Sequence, residues 1–210
     1  MSKYAFVMFL TLVRAPLSIA AAALAVVNAF RPSIALLATA IGILAISAIT
    51  DLFDGKLARK WKVSSRLGAL ADPLTDKVFY AATLPAATFI ALYNEDITHA
   101  IILLGLDVFS MLRDQWVSFL RSVGSEYGAD VKANWSGKLR TIIGFPVIVI
   151  IHLQLGLETF RLHVPSLEDA PIFPRNVIFG LEALLIAITL ISAFSYTARY
   201  MPYLRKSAEH

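Results

Sequence analysis

Asp51-Leu-Phe-Asp54-Gly55-Lys-Leu-Ala58-Arg59, followed after eight residues by Gly68-Ala-Leu-Ala-Asp72-Pro-Leu-Thr-Asp76, places four carboxylates at the ends of two hydrophobic stretches. Asp51 and Asp54 stand three residues apart, Asp72 and Asp76 four apart. On a helix either spacing puts the pair on one face. Two such faces meeting gather four negative charges within a few ångströms. In a low dielectric such charges repel one another or take up protons. Divalent cations relieve the repulsion, because hard cations take carboxylate oxygens.

Outward from this stretch the chain is strongly apolar. A transmembrane helix needs ~20 mainly apolar residues. Candidate spans run from about Tyr4 to Phe30, broken by Arg14, and from Pro32 to Thr50 without a charge. A third, Val78 to Leu92, reaches spanning length only by starting near Leu67 and including Asp72, Asp76 and Lys77. The others are Ile97 to about Leu120 with Asp107, Arg113 and Asp114, Ile142 to Leu157, and Asn176 to Thr197 with Glu182. Arg14 interrupts the short apolar run before it, so the first segment reads as a retained helix and not a cleaved leader. The expected fold is an all-α, polytopic integral membrane protein of six transmembrane helices. Residues 1–210 read as a single membrane domain, with a polar cavity at the cytoplasmic face that opens laterally to lipid.

Composition agrees. Of 210 residues, 58% are hydrophobic and 16% charged, against roughly 25% charged in soluble domains. Disordered, collagen-like and ordinary soluble chains are excluded. With no cysteine, a metal must take oxygen or imidazole ligands. The net charge of +4 is unevenly spread. All but Arg31, Arg161 and Arg175 of the 19 basic residues fall in the N-terminal segment up to Arg14, the 51–77 and 113–140 segments and the C-terminal tail, taken as one side. The opposite loops hold Asn94-Glu95-Asp96 and Leu167-Glu168-Asp169. This asymmetry places both termini and the carboxylates on the cytoplasmic or matrix side. It explains the basic excess as topology plus an anion site, with no nucleic acid.

The residues around the carboxylates suit a phosphate ligand. Gly55 lets a ligand approach the backbone, and Arg59, beside Lys56, Lys60 and Lys62, can neutralise an anion. Gly68 allows close helix approach or a turn. Asp72-Pro73 also reads as a helix N-cap followed by its first residue.

The pattern D-x2-D-G-x2-A-R-x8-G-x3-D-x3-D, matched at Asp51, Asp54, Gly55, Ala58, Arg59, Gly68, Asp72 and Asp76, resembles the signature of the CDP-alcohol phosphotransferases. The resemblance extends to six transmembrane helices along the whole chain. It implies metal-dependent transfer of a phosphatidyl or related group from a CDP-linked donor to an alcohol, with release of CMP. By position, Asp51, Asp54, Asp72 and Asp76 would hold two divalent ions, Mg²⁺ or Mn²⁺, and Asp76 would be the base for the acceptor hydroxyl. Asp54, Gly55, Ala58, Arg59 and Gly68 would lie on the CDP donor. The resemblance also implies a homodimer, embedded among membrane lipids in a cell inner or mitochondrial inner membrane.

Three further stretches resemble the phosphatidylglycerophosphate synthases within that family. They are Thr11-Leu-Val-Arg14-Ala-Pro16-Leu17, Leu112-Arg113-Asp114 with Leu120-Arg121, and Trp135-Ser-Gly137-Lys138-Leu-Arg140-Thr141. Asp114 and Ser122 depart from the usual Glu at those places. The implied role is phospholipid biosynthesis from CDP-diacylglycerol and sn-glycerol 3-phosphate. Arg14, Arg113, Arg121, Lys138 and Arg140 would bind the acceptor phosphate, a dianion suited to guanidinium groups. Cardiolipin synthases, acting on phosphatidylglycerol, and transferases to inositol or inositol phosphate share the aspartate signature. A reading from another class is a divalent-cation transporter built on the four carboxylates.

The remaining polar residues read plainly. Asp107 and Glu182 pair with polar groups or line a crevice near the opposite side. The four histidines form no ligand cluster. Ala20 to Ala25 and Ala81-Ala82 serve helix packing. Tyr196, Tyr200 and Tyr203, with Arg199 and Arg205, read as an interfacial anchor.

Overall fold

The computed structural model describes residues 2–63, 65–129, 135–164, 166, 169 and 172–209; the side chains of Leu52, Asp54, Arg66, Ala69 and Leu70 also lie outside the described residues. Six helices follow one another: α1 (Lys3–Phe30), α2 (Ile34–Trp61), α3 (Arg66–Tyr93), α4 (Ile97–Glu126), α5 (Trp135–His163) and α6 (Arg175–Ala208). Among the described residues there is no strand, so the all-α expectation holds. Helices α1, α2, α5 and α6 are long and apolar enough to cross a membrane by length and composition. Helices α3 and α4 have 28 and 30 residues, roughly 42–45 Å at 1.5 Å per residue. Their apolar runs are interrupted by the charges that build the site.

Helix starts follow local capping. The side chains of Ser2, Ser65 and Asp96 accept hydrogen bonds from the N–H groups of Ala5, Gly68 and His99 at 3.1, 3.0 and 3.0 Å, which satisfies orphan amides of the first turn. Ser65 therefore caps α3, and Asp72 lies inside that helix. The N-cap reading of Asp72-Pro73 is corrected, because the cap is taken by a serine earlier in the chain. Four helices are longer than the apolar spans predict, and two of them, α4 and α6, run on to Glu126 and Ala208. Helix α2 continues past Thr50 to Trp61, and α5 begins at Trp135 instead of Ile142. Leu57, Ala58, Arg59 and Lys60 all favour helix, the two charged residues included, and α2 stops where Lys62 turns left-handed at φ 54°.

Helix α1 packs against both α2 and α3, which make no direct backbone approach to each other. Small residues allow this: Ala21, Ala25 and Ala29 of α1 meet Ala40, Leu44 and Ala48 of α2 in the core. The expected alanine packing holds for Ala21, Ala22 and Ala25, which are buried. It fails for Ala20, Ala23 and Ala81, which are exposed, and for Ala82, which is half-buried; Ala23, Ala81 and Ala82 line an open groove between α1 and α3. Helix α6 packs on α4 and α5, and α5 reaches back to α1, α2 and α3.

The end of the bundle away from the carboxylates is tied by polar pairs. Glu182 of α6, fully buried, meets His99 Nε2 of α4 at 2.7 Å. Asn94 donates to the Leu155 carbonyl at 3.1 Å and accepts from Thr159 at 3.0 Å. Asp107 is buried, and its Oδ1 has no hydrogen-bond partner among the described residues. His99→Ala strips Glu182 of this partner. A buried acid left without one costs about 3 kcal/mol. The expected result is a lowered melting temperature in detergent with an unchanged KM for each substrate.

Candidate active site

Asp51 of α2 and Asp72 and Asp76 of α3 each bring a carboxylate oxygen within 4.8 Å of the others. Asp54 belongs to α2 by its backbone, and its side chain lies outside the described residues. Among the described residues α2 and α3 make no close backbone approach, and the cluster is assembled across α1 through Arg14. Arg14, 0% exposed, donates through Nη1 to Asp51 and, at 2.6 Å, to Asp76, and through Nη2 to Asp72 at 3.1 Å. Its own carbonyl accepts from Ser18 and Ser47 at 2.8 and 3.4 Å, which fixes this turn of α1 against α2. One guanidinium leaves three carboxylates with net negative charge. The donors are all hard oxygens, so the set fits Mg²⁺ or Mn²⁺ chemically. Arg14, which the sequence pattern assigns to the acceptor phosphate, lies on the carboxylates in this structure.

Two cavities meet at this cluster. The smaller, of about 180 Å³, is lined by Gly55, Ala58, Arg59, Gly68 and Asp72, with Tyr4, Val7, Met8 and Thr11 of α1. These include every donor-side residue named from the motif except Asp54. The larger, of about 340 Å³, has Asp51, Asp72 and Asp76 on one wall and Arg113, Arg121, Lys138 and Arg140 on the other. Gly55, Arg59 and Asp72 line both. The motif spacing follows from α2 remaining helical: Asp51, Gly55 and Arg59 recur every fourth residue along one face. A Cβ on Gly55 would meet Arg59 Nη1 at 3.5 Å, an ordinary contact. The protein itself therefore tolerates a side chain there, and its absence keeps open the space common to both cavities.

The basic wall is held by groups that sequence reasoning missed. Asp114 Oδ1 accepts from Arg113 at 2.8 Å and from Arg140 at 3.2 Å, joining α4 to α5. Arg113 also donates to Ser192 of α6. The Arg140 guanidinium lies 4.1 Å from the Tyr80 ring centre. Among the described residues its Nε and Nη2 are buried without a hydrogen-bond partner, as is Nε of Arg113 and of Arg121. Buried guanidinium donors left in this state call for an anion. Tyr196 is 2% exposed and lies beneath the guanidiniums of Arg113 and Arg121, at 5.3 and 5.7 Å. The interfacial-anchor reading is thus corrected for Tyr196 and for the buried Tyr200. Gly137 permits the approach of Tyr196, whose hydroxyl would lie 3.0 Å from a Cβ at that position. Lys77 lines the same cavity and donates to Ser118 at 2.6 Å. Thr141 Oγ1 lies 3.5 Å from Asp76 Oδ2. The one available signal was register: Lys77 follows Asp76, and Tyr196 sits four residues after Ser192.

Asp114→Asn keeps the shape and removes the charge that orients two arginines. The expected result is an affinity for inorganic phosphate lowered about tenfold. Phosphate titration of the purified protein checks it.

Comparison with known proteins agrees with this architecture. A Salmonella typhimurium (strain LT2) protein named CDP-diacylglycerol–glycerol-3-phosphate 3-phosphatidyltransferase is 36% identical over 115 residues, covering 47% of this chain and 52% of that protein. The protein of the same name from Escherichia coli (strain K12) is 35% identical over the same length and coverage. The chain thus spans about half the length of the curated relatives it matches. The family match is longer, running over residues 6–195. With four helices apolar enough to cross a membrane, this is a multi-pass membrane protein. Because the matched residues take in the carboxylate cluster and nearly all the lining of both cavities, the chain belongs to the CDP-alcohol phosphatidyltransferase family.

Proposed function

We propose that the protein transfers a phosphatidyl group from CDP-diacylglycerol to sn-glycerol 3-phosphate, giving phosphatidylglycerophosphate and CMP. The observation that carries this reading is the shared wall. A cavity lined by the nucleotide-side motif and a cavity lined by Arg113, Arg121, Lys138 and Arg140 share Gly55, Arg59 and Asp72. The names of the relatives support the choice of substrates.

In this reading Gly55, Ala58, Arg59 and Gly68 receive the cytidine nucleotide in the smaller cavity. Arg113, Arg121, Lys138 and Arg140 hold the acceptor phosphate in the larger one, with its free hydroxyl toward Asp76. Asp76 accepts the hydroxyl proton as the oxygen bonds to the phosphorus esterified to diacylglycerol. The bond from that phosphorus to the CMP oxygen breaks, and its electron pair leaves with CMP. Two divalent ions, Mg²⁺ or Mn²⁺, held by Asp51, Asp54, Asp72 and Asp76, would neutralise the pyrophosphate and assist CMP departure.

All six helices then span the membrane as a single domain over residues 1–210, with both termini and the site on the cytoplasmic or matrix side. The concentration of basic residues at that end supports this orientation. The family resemblance supports a homodimer.

A divalent-cation transporter would use the carboxylates but has no use for the cavity around Gly55, Ala58 and Arg59. Binding of CDP-diacylglycerol to the purified protein separates the two. The expected result is affinity that needs Mg²⁺ or Mn²⁺ and disappears with chelator. Metal binding without any nucleotide binding would contradict the transferase reading.

A further inference from the structure

We propose that Arg14 is a positioning residue that holds the place of a divalent ion among Asp51, Asp72 and Asp76 and gives the carboxylates up when metal binds. This rests on the metal-dependent transfer proposed above. The observation is the location of its nitrogens. Nη1 is bonded at once to Asp51 Oδ1 and to Asp76 Oδ1, and Nη2 to Asp72 Oδ1. These are oxygens from both helices that a bridging cation would need. A guanidinium and a divalent ion cannot share them: both are positive, and at contact distance in a low-dielectric site their repulsion is large.

The side chain has a reason to be there without metal. Among the described residues α2 and α3 make no close backbone approach, and Arg14 bonds Asp51, Asp72 and Asp76 together. Three uncompensated carboxylates inside a bundle would push the helices apart. The Arg14 backbone is fixed, because its carbonyl accepts from Ser18 and Ser47. The guanidinium, at the end of a long flexible chain, is the part able to move. Exposure sets a direction for the exchange. The side chains of Asp72 and Asp76 are 51% and 24% exposed, while Arg14 is 0% exposed. Metal thus arrives from the cavity side and meets the arginine from beyond the carboxylates.

The distinguishing consequence is interchangeability: metal should do for the fold what Arg14 does. Thermal unfolding and Mn²⁺ titration would be measured for wild type, Arg14→Gln and Arg14→Lys, purified in detergent with Mn²⁺ and then exchanged into chelator. The expected result for Arg14→Gln is a clear melting-temperature deficit in chelator that closes at saturating Mn²⁺. Its Mn²⁺ affinity should be at least about tenfold tighter than that of wild type. Arg14→Lys, with one nitrogen instead of a fork, should fall between. If Arg14→Gln is too unstable to survive chelator, recovery of a folded protein in Mn²⁺ alone is the same result in stronger form. A deficit of equal size with and without Mn²⁺, or failure to fold in both, would overturn the proposal and make Arg14 a fixed strut. Mn²⁺ binding to wild type with no tighter binding in Arg14→Gln overturns this inference alone. Mn²⁺ binding to neither overturns the metal reading and the inference with it.

Discussion

Asp76→Asn is expected to lower CMP formation by at least about 10³-fold while keeping, at saturating Mn²⁺, much of the cytidine-nucleotide affinity. The size follows from two losses at one atom pair. A positioned base contributes about 10²–10⁴-fold, and the same carboxylate belongs to the oxygen cluster suited to metal. The selectivity follows from position. Asp76 lines the larger cavity but not the smaller one, where Gly55, Ala58, Arg59 and Gly68 stand. The amide keeps the side-chain volume and still accepts from Arg14, so the fold should survive. Single-turnover CMP release and nucleotide titration on the same preparation check both halves. Turnover within tenfold of wild type would remove Asp76 from the base role.

Arg140→Ala should cost about 10²-fold in kcat/KM for glycerol 3-phosphate, with the KM for CDP-diacylglycerol changed less than about threefold. Hydrogen bonds to charged groups contribute about 1.5–3 kcal/mol, and Arg140 has buried Nε and Nη2 donors with no hydrogen-bond partner among the described residues. Its remaining contacts, Asp114 and the Tyr80 ring, fix where those donors point. Asp114 keeps Arg113 as a partner in the variant, which limits structural damage. Arg140→Lys should recover only part of the loss, since an ammonium cannot reproduce the planar fork. Equal losses for donor and acceptor would place Arg140 in general scaffolding.

The parts of this architecture legible in the sequence are those set by local periodicity. Asp51, Gly55 and Arg59 declare one helical face, as do Asp72 and Asp76, and the apolar runs around them declare helices in a membrane. Helix ends were less legible. Hydropathy falls at Asp51 and before Ile142, and a fall in hydropathy resembles the end of a span. The backbone instead continues through polar residues that still favour helix, which is how the motif comes to line a cavity. Tyr196 was hidden for another reason. A tyrosine beside basic residues near a helix end has the composition of an interfacial belt, and only the close packing permitted by Gly137 turns it inward. The placement of Arg14 depends on α1 running between two helices whose backbones stay apart, and no spacing within α1 encodes that. Asp54, whose side chain lies outside the described residues, keeps its assignment from the motif alone.

The central claim is that the basic cavity beside the carboxylates selects a small phosphorylated alcohol. The most direct measurement is CMP release by the purified protein in mixed micelles with CDP-diacylglycerol and Mg²⁺. Glycerol 3-phosphate, phosphatidylglycerol, inositol, inositol phosphate and serine would be supplied one at a time, and the lipid product identified. The account predicts rapid, chelator-sensitive release with glycerol 3-phosphate and phosphatidylglycerophosphate as product. Release with phosphatidylglycerol, inositol, inositol phosphate or serine, and none with glycerol 3-phosphate, would contradict it.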